Sequence, residues 1–430
     1  MLETINKISG LKKFLIDVFF LMIVTIGAKG LRYISAVIIA RNLSIEDYGY
    51  YAYFIQMAGY ISVIIEVGLP TSIIVLSLRK GIDLEKILRI SLIFLAISAI
   101  FSYLFIKLYF EPRAGSSLFD FGDIEIQMLL IYSYLIFFGS LLMACLRAKE
   151  KNQEYSLLLF FLGLLTFLLI LIILFFEKLT LINSIFSLIS ASAIWVLALI
   201  YFNKNLFKKF EIPKLNHVSA VFSFGLKNYV TRLLSSGVQI LPFIFIALSE
   251  YKNALGYFGA AAIIVSLVRL IGQSISMLLT ARLSKLADKN SYMFTTLLSG
   301  GLGLVLFISY PLIYFSLEHI ISFIYGQRYL PAVYIVNFSL IAVSFEVITN
   351  VVIRPFITQN ISRHYLQWIV YLIILIIMIA SYMLSKWNDI SSFLIVIGKS
   401  MALSNFIGLL AAITFLIILW KKTSINVGDK

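Results

Sequence analysis

The chain has 430 residues, 61% of them hydrophobic and only 13% charged, against roughly 25% charged in an average soluble domain. A mean hydropathy of +0.99 over the whole length excludes a soluble protein carrying one anchor, because apolar side chains on this scale must face lipid along most of the sequence. The formal net charge of +14 is spread through short loops rather than gathered in one polar domain, so it speaks for membrane topology and not for a nucleic-acid partner.

The first 13 residues are polar and basic, with Lys7, Lys12 and Lys13. The apolar run behind them is too long for a signal-peptide core, so the opening reads as a cytoplasmic tail. Apolar runs of about 20 residues, the length that crosses a bilayer, then predict twelve helices. The first six are Phe14–Ala40, Tyr48–Leu78, Ile87–Phe110, Glu125–Leu146, Tyr155–Phe176 and Leu181–Phe202. The second six are Ser219–Ala247, Leu255–Ala281, Tyr292–Leu317, Pro331–Ile353, Tyr365–Ser385 and Ser391–Trp420. The runs are too long, and alternate too little, for a transmembrane barrel.

The expected fold is therefore an all-α integral membrane protein, with two six-helix lobes around a central cavity. The N-lobe covers 1–205, a basic cytoplasmic linker 206–218, and the C-lobe 219–430. With the N-terminus placed in the cytoplasm, the opposite side carries only Arg41, Lys107, Arg113, Lys178, Lys252, Arg328 and Lys386. The positive-inside rule then puts both termini in the cytoplasm. Spans one and seven start on the same side, so the halves are parallel repeats. Gly27–Gly49 (GAKGLRYISAVIIARNLSIEDYG) returns in degenerate form as Gly225–Tyr257. Arg147–Tyr155 after span four is echoed more weakly by Arg354–Tyr365 after span ten.

Six cations fall within predicted spans: Lys29, Arg32, Lys227, Arg232, Arg269 and Lys399, against the acids Asp17, Glu66 and Glu346. A charge at bilayer depth is costly unless it faces water, a counter-ion or a ligand. Pairing cannot neutralise six with three, which leaves a positive interior suited to phosphate or diphosphate. Arginine is favoured there for its bidentate geometry. Lys29 and Arg32 share one helix face. Arg232, Ser235, Ser236 and Gln239 form a polar stripe in span seven, as do Ser266, Arg269, Gln273 and Ser276 in span eight. The headgroup candidates are Arg32, Arg232, Arg269, Lys29 and Lys399. The competing reading has some of these cations snorkelling to the interface, Lys227 first among them. Glu66 and Glu346 read either as ion-coupling acids or as structural partners of Arg269 or Lys399, and Asp17 as interfacial. Gly68, Pro70 and Pro242 are hinge candidates, since each can unwind or kink a helix. Three scattered histidines (His217, His319, His364) and a single cysteine, Cys145, hold no metal or disulfide framework. No cofactor or catalytic group is expected, and Cys145 reads as a core residue.

The stretch GAKGLRYISAVIIARNLSIEDYGYYAYF resembles the first helix and following turn of the polysaccharide-transporter branch of the multidrug/oligosaccharidyl-lipid/polysaccharide exporter superfamily, particularly the Wzx O-antigen flippases. The turn Leu43–Gly49 carries most of the likeness. Gly256-Tyr257 and Ile324–Tyr329 (IYGQRY) add to it. The resemblance implies a MATE-like fold in the bacterial inner membrane. It implies a cargo of undecaprenyl-diphosphate-linked oligosaccharide, an O-antigen or capsule repeat unit, moved to the periplasmic leaflet by alternating access. Membrane lipids, a polysaccharide polymerase and a chain-length regulator would be its partners. A drug/cation antiporter of the same superfamily should instead carry net negative charge in its cavity. A membrane-embedded polymerase or glycosyltransferase would need a sizeable polar loop, and no extramembrane segment exceeds about 16 residues by this span count. A lipid II flippase is favoured by fourteen spans rather than twelve.

Overall fold

The computed structural model describes residues 23–24, 26–79, 82–109, 123–207, 215–283, 288–355 and 364–428. Asp17, the basic tail and residues 208–214 of the proposed linker lie outside them. The chain is helical throughout this range, with no strand among the described residues. We number the helices α1 (residues 26–42), α2 (Ile45–Glu66), α3 (Leu69–Arg79), α4 (Leu84–Tyr109), α5 (Asp123–Ala148), α6 (Asn152–Phe176) and α7 (Leu181–Phe202). The others are α8 (Leu215–Ala247), α9 (Asn253–Leu283), α10 (Asp288–Tyr325), α11 (Ala332–Val352), α12 (His364–Leu384) and α13 (Ile390–Gly428).

Among the described residues, nine helices are long and apolar enough to cross a membrane, or ten if α2 and α3 make one bent span. Twelve spans require α1 and α4 as well, and α4 opens with Glu85, Lys86 and Arg89 in its first two turns. Two helices outrun their predicted ends. α10 has 38 residues and α13 has 39, roughly 57 Å or more at 1.5 Å per residue, so both project beyond a hydrocarbon core of about 30 Å.

The predicted span Tyr48–Leu78 is not one helix. It breaks into α2 and α3 with a 53° bend. Val67 (φ 43°) and Gly68 (φ 72°) both take left-handed backbone, a conformation that costs a β-branched residue more than a glycine. The bend is held from outside. A Cβ on Gly68 would stand 2.2 Å from the Gly225 carbonyl oxygen on α8, the Ser72 hydroxyl donates to the Val221 carbonyl (3.0 Å), and the Tyr229 hydroxyl donates to that of Ile64 (3.2 Å).

The chain divides into two compact units, Met1–Leu43 with Phe54–Tyr229, and Ser44–Tyr53 with Val230–Lys430. The boundaries after Tyr53 and Tyr229 fall inside helices, α2 and α8. In the first unit α5 packs against α3, α4, α6 and α7. Phe137, Leu141, Cys145, Trp195 and Leu199 fill its core. Trp195 donates its indole N–H to the Leu158 carbonyl (2.8 Å) and occupies the place where any side chain on Gly139 would sit. In the second unit α11 has the corresponding central position, against α9, α10 and α13. Gly398 of α13 lies on Phe338 of α11, and Gly408 lies on Ile374 of α12.

The turn before α2 is a reciprocal cap. The Asp47 amide donates to the Ser44 hydroxyl (3.0 Å), and that hydroxyl donates to the Asp47 carboxylate (2.7 Å), a variant of the capping box. Replacing Ser44 by alanine should cost about 1 kcal/mol, measurable as a lower unfolding midpoint of the detergent-purified protein.

Candidate functional site

The best-defined polar site in either unit is built on α9 and α11. Arg269 points its guanidinium at Glu346 in a fork: Nε lies 3.0 and 3.3 Å from Oε1 and Oε2, and Nη2 lies 2.8 Å from Oε2. The two side chains keep 23% and 15% of their exposure, so the pair is neither fully dry nor on the open surface. The helices can come this close because Gly272, one turn beyond Arg269, has no side chain. A Cβ there would meet Val347 Cγ2 at 2.6 Å. Gly272→Val should therefore push α9 off α11 and break the fork, which appears as a loss of stability comparable to removing Glu346.

Polar groups continue from Glu346 along α11 and α12. The Tyr371 hydroxyl donates to Asn350 Oδ1 (2.9 Å), one turn beyond Glu346, and Tyr371 is within electrostatic reach of both Glu346 and Arg354. The Trp368 indole N–H donates to the Thr231 hydroxyl of α8 (2.8 Å), beside Arg232. The Arg269–Glu346 pair is one of the pairings the charges in the sequence allowed; the other two have no sequence signature, because each joins uncharged residues from different helices.

The other candidates are distributed over both units. Arg32 is exposed and Lys29 half-buried on α1. That helix lies against α6, where Gly163 admits the Ala28 carbonyl. Arg232 and Gln239 are exposed on α8 and Ser235 and Ser236 half-buried, and the helix continues through Pro242 without interruption. Glu66 is buried, 1% exposed, at the end of α2 just before the bend. Pro70 falls in the first turn of α3, where a missing N–H costs no hydrogen bond. The side chains of Lys227, Gln273 and Ser276 lie outside what the structure describes. Lys399 is not part of the Arg269–Glu346 pair. It is exposed on α13, 5.8 Å from the centre of the Phe338 ring.

The three turns that carry the family likeness meet in the second unit. Tyr48 packs edge-on to Tyr329 (5.9 Å between ring centres), and so does Tyr257 (6.2 Å), with Tyr325 tilted against Tyr329 at 5.4 Å. Gly49 and Gly256 let α2 and α9 touch backbone to backbone, since a Cβ on Gly256 would stand 2.1 Å from the Ile45 carbonyl oxygen. These glycines and tyrosines do packing work, and the sequence marked them only as a likeness.

A family profile described as "Polysaccharide biosynthesis protein" matches residues 14–286. The fold is similar to that of an inward-facing multidrug resistance MATE family transporter of the MOP superfamily, with a TM-score of 0.70 and 14% identity over 94% of this chain and 99% of that one. It is equally similar to the lipid II flippase MurJ in an inward closed conformation, with a TM-score of 0.70 and 18% identity over 95% and 90%. A single-residue mutant of the Vibrio cholerae MATE transporter VcmN matches at 0.65 with 12% identity over 94% and 96%. No curated protein matches the sequence. The chain thus belongs to the polysaccharide biosynthesis protein family and is a multi-pass membrane protein with the fold seen in a MATE family transporter and in MurJ.

Proposed function

We propose that this protein is a flippase that moves an undecaprenyl-diphosphate-linked oligosaccharide, an O-antigen or capsule repeat unit, from the cytoplasmic to the periplasmic leaflet of a bacterial inner membrane. The observation that carries the reading is the coincidence of family and fold: a polysaccharide biosynthesis profile over residues 14–286 on the architecture of a lipid II flippase. On this reading both termini are cytoplasmic and six spans belong to each of two lobes. The protein alternates its access between the two sides, and the polyprenyl tail stays in lipid while the charged headgroup crosses.

Arg32, Lys29, Arg232 and Arg269 would receive the diphosphate. Arg269 is the most specific of them, because its fork already holds an oxyanion pair, the Glu346 carboxylate, in bidentate geometry. A diphosphate offers the same pair of oxygens with more charge, so it would take over the fork by displacing Glu346. No bond is made or broken in the cargo. The protein lowers a desolvation barrier by replacing water around the headgroup with fixed dipoles and cations. A multidrug resistance MATE family transporter shares the fold, but a cationic cargo would meet net positive charge here.

The test is a deletion strain. Lipid-linked repeat units should accumulate on the cytoplasmic leaflet and surface glycan should disappear, and expression of this chain should restore both. Arg232→Ala should leave the protein at wild-type abundance, since Arg232 is exposed, yet lower surface glycan at least tenfold. Glycan display unaffected by the deletion would end the proposal.

A further inference from the structure

We propose that Lys399 is the headgroup anchor of a resident anionic glycerophospholipid, whose chain lies along α13 in the second unit. Lys399 lines a recess of about 550 Å³ between α11, α12 and α13, within the range of roughly 300–1,000 Å³ typical of ligand sites. Apolar side chains make most of the wall, among them Ile341, Val396 and Leu403, and Ser381, Ser385 and Ser400 place hydroxyl-bearing residues beside the lysine. Such a wall, apolar with a few convergent polar groups, is what a ligand with one charged end requires.

The lysine needs a counter-ion. It stands nine residues into α13, about 13 Å from the start of that helix, inside a segment that qualifies as a membrane span. Among the described residues no carboxylate pairs with it, and its ammonium stands over the Phe338 ring. A cation at this depth with no carboxylate partner among the described residues is matched by an anion from elsewhere. Long helical side chains lean toward the N-terminus of their helix, which here directs the ammonium to the side of the α12–α13 loop, where lipid headgroups lie.

The face of α13 below it says what kind of anion. Leu403, Phe406 and Leu410 follow Lys399 at four, seven and eleven residues, so they continue the same stripe, and they are 48%, 41% and 46% exposed. An acyl chain laid down this stripe places its phosphate on Lys399. One lysine is a single point charge, which suits the single negative charge of a phosphodiester. A diphosphate carries more charge and is better matched by arginine forks and several cations. The geometry therefore favours a structural phospholipid over the transported lipid.

The experiment is native mass spectrometry of the delipidated, detergent-purified protein, titrated with dioleoylphosphatidylglycerol or with dioleoylphosphatidylethanolamine. The wild type should bind one phosphatidylglycerol about tenfold more tightly than the zwitterionic lipid. Lys399→Gln should remove that preference. Ala402→Trp, which fills the recess and leaves the lysine in place, should remove it too. Lys178→Gln, in the loop between α6 and α7 of the other unit, should keep it. Equal binding of the two lipids by the wild type, or a preference retained by Lys399→Gln, would overturn the proposal. So would displacement of phosphatidylglycerol by a polyprenyl diphosphate that itself depends on Lys399, since the recess would then serve the cargo. Binding is read without transport, so the outcome is independent of the flippase assay.

Discussion

Removing Arg269 is expected to abolish glycan display and to destabilise the second unit at the same time, and the two effects separate by a double replacement. Glu346 is held in two-oxygen contact with Arg269 at only 15% side-chain exposure. Taking the arginine away leaves a largely buried carboxylate without the partner that offsets its desolvation. Breaking one partner of a buried pair costs about 3–5 kcal/mol, whereas replacing both with apolar groups of similar size is often neutral or better. Arg269→Ala should therefore lower both the unfolding midpoint and the surface glycan. Arg269→Met with Glu346→Met should recover the midpoint and still display no glycan, because the anion-binding fork is gone. Glu346→Gln keeps the arginine and lowers the charge it must leave, so pyrophosphate should bind the purified protein about tenfold more tightly than it binds the wild type. A double variant with full glycan display would show that the pair is only structural.

The second large effect is expected at Gly256. A methyl group there would overlap the Ile45 carbonyl oxygen at 2.1 Å and Ile45 Cγ2 at 2.6 Å. A side chain in the way could rotate aside, but a backbone carbonyl moves only with its helix. Overpacking in a tight core costs typically about 1–3 kcal/mol, and a backbone opponent puts Gly256→Val at the upper end or beyond it. The displaced α2 would also pull Tyr48 from the ring of Tyr329. The expected result is a loss of folded protein on size-exclusion chromatography of detergent extracts, with no glycan display. Gly300→Ala is the control, since nothing lies within 4 Å of a Cβ at that position; it should behave as wild type. A folded and active Gly256→Val protein would mean that the α2–α9 contact is dispensable.

Much of this protein was legible along the chain because a bilayer simplifies the problem. A span must satisfy its own backbone hydrogen bonds, which leaves the helix as the solution for long apolar runs. Run length then locates helices whose ends differ from the observed ones by a few residues at most positions. The bend at Val67-Gly68 was only partly visible. Gly68 and Pro70 mark a place where a helix can yield, but the angle depends on α8 pressing Gly225 into the gap. The candidate site was legible as a list and not as an arrangement. Arg269 and Glu346 were both conspicuous as charges in apolar helices. Their charges allowed Glu346 to pair with Arg269 or with Lys399, and the choice of Arg269 follows from Gly272 and Val347, where α9 and α11 meet. Lys399 looked equivalent to the arginines by charge and depth, and it stands in a recess of its own.

What the sequence determined by itself was the solvent of this protein and its consequence: apolar runs of bilayer length must be helices, and the cations stranded in them must find anions. Which anion each cation finds was decided only by tertiary structure, because partners 77 residues apart are chosen by helix packing. Packing turns on where a glycine lets two backbones approach, and on which face of a helix is left for lipid.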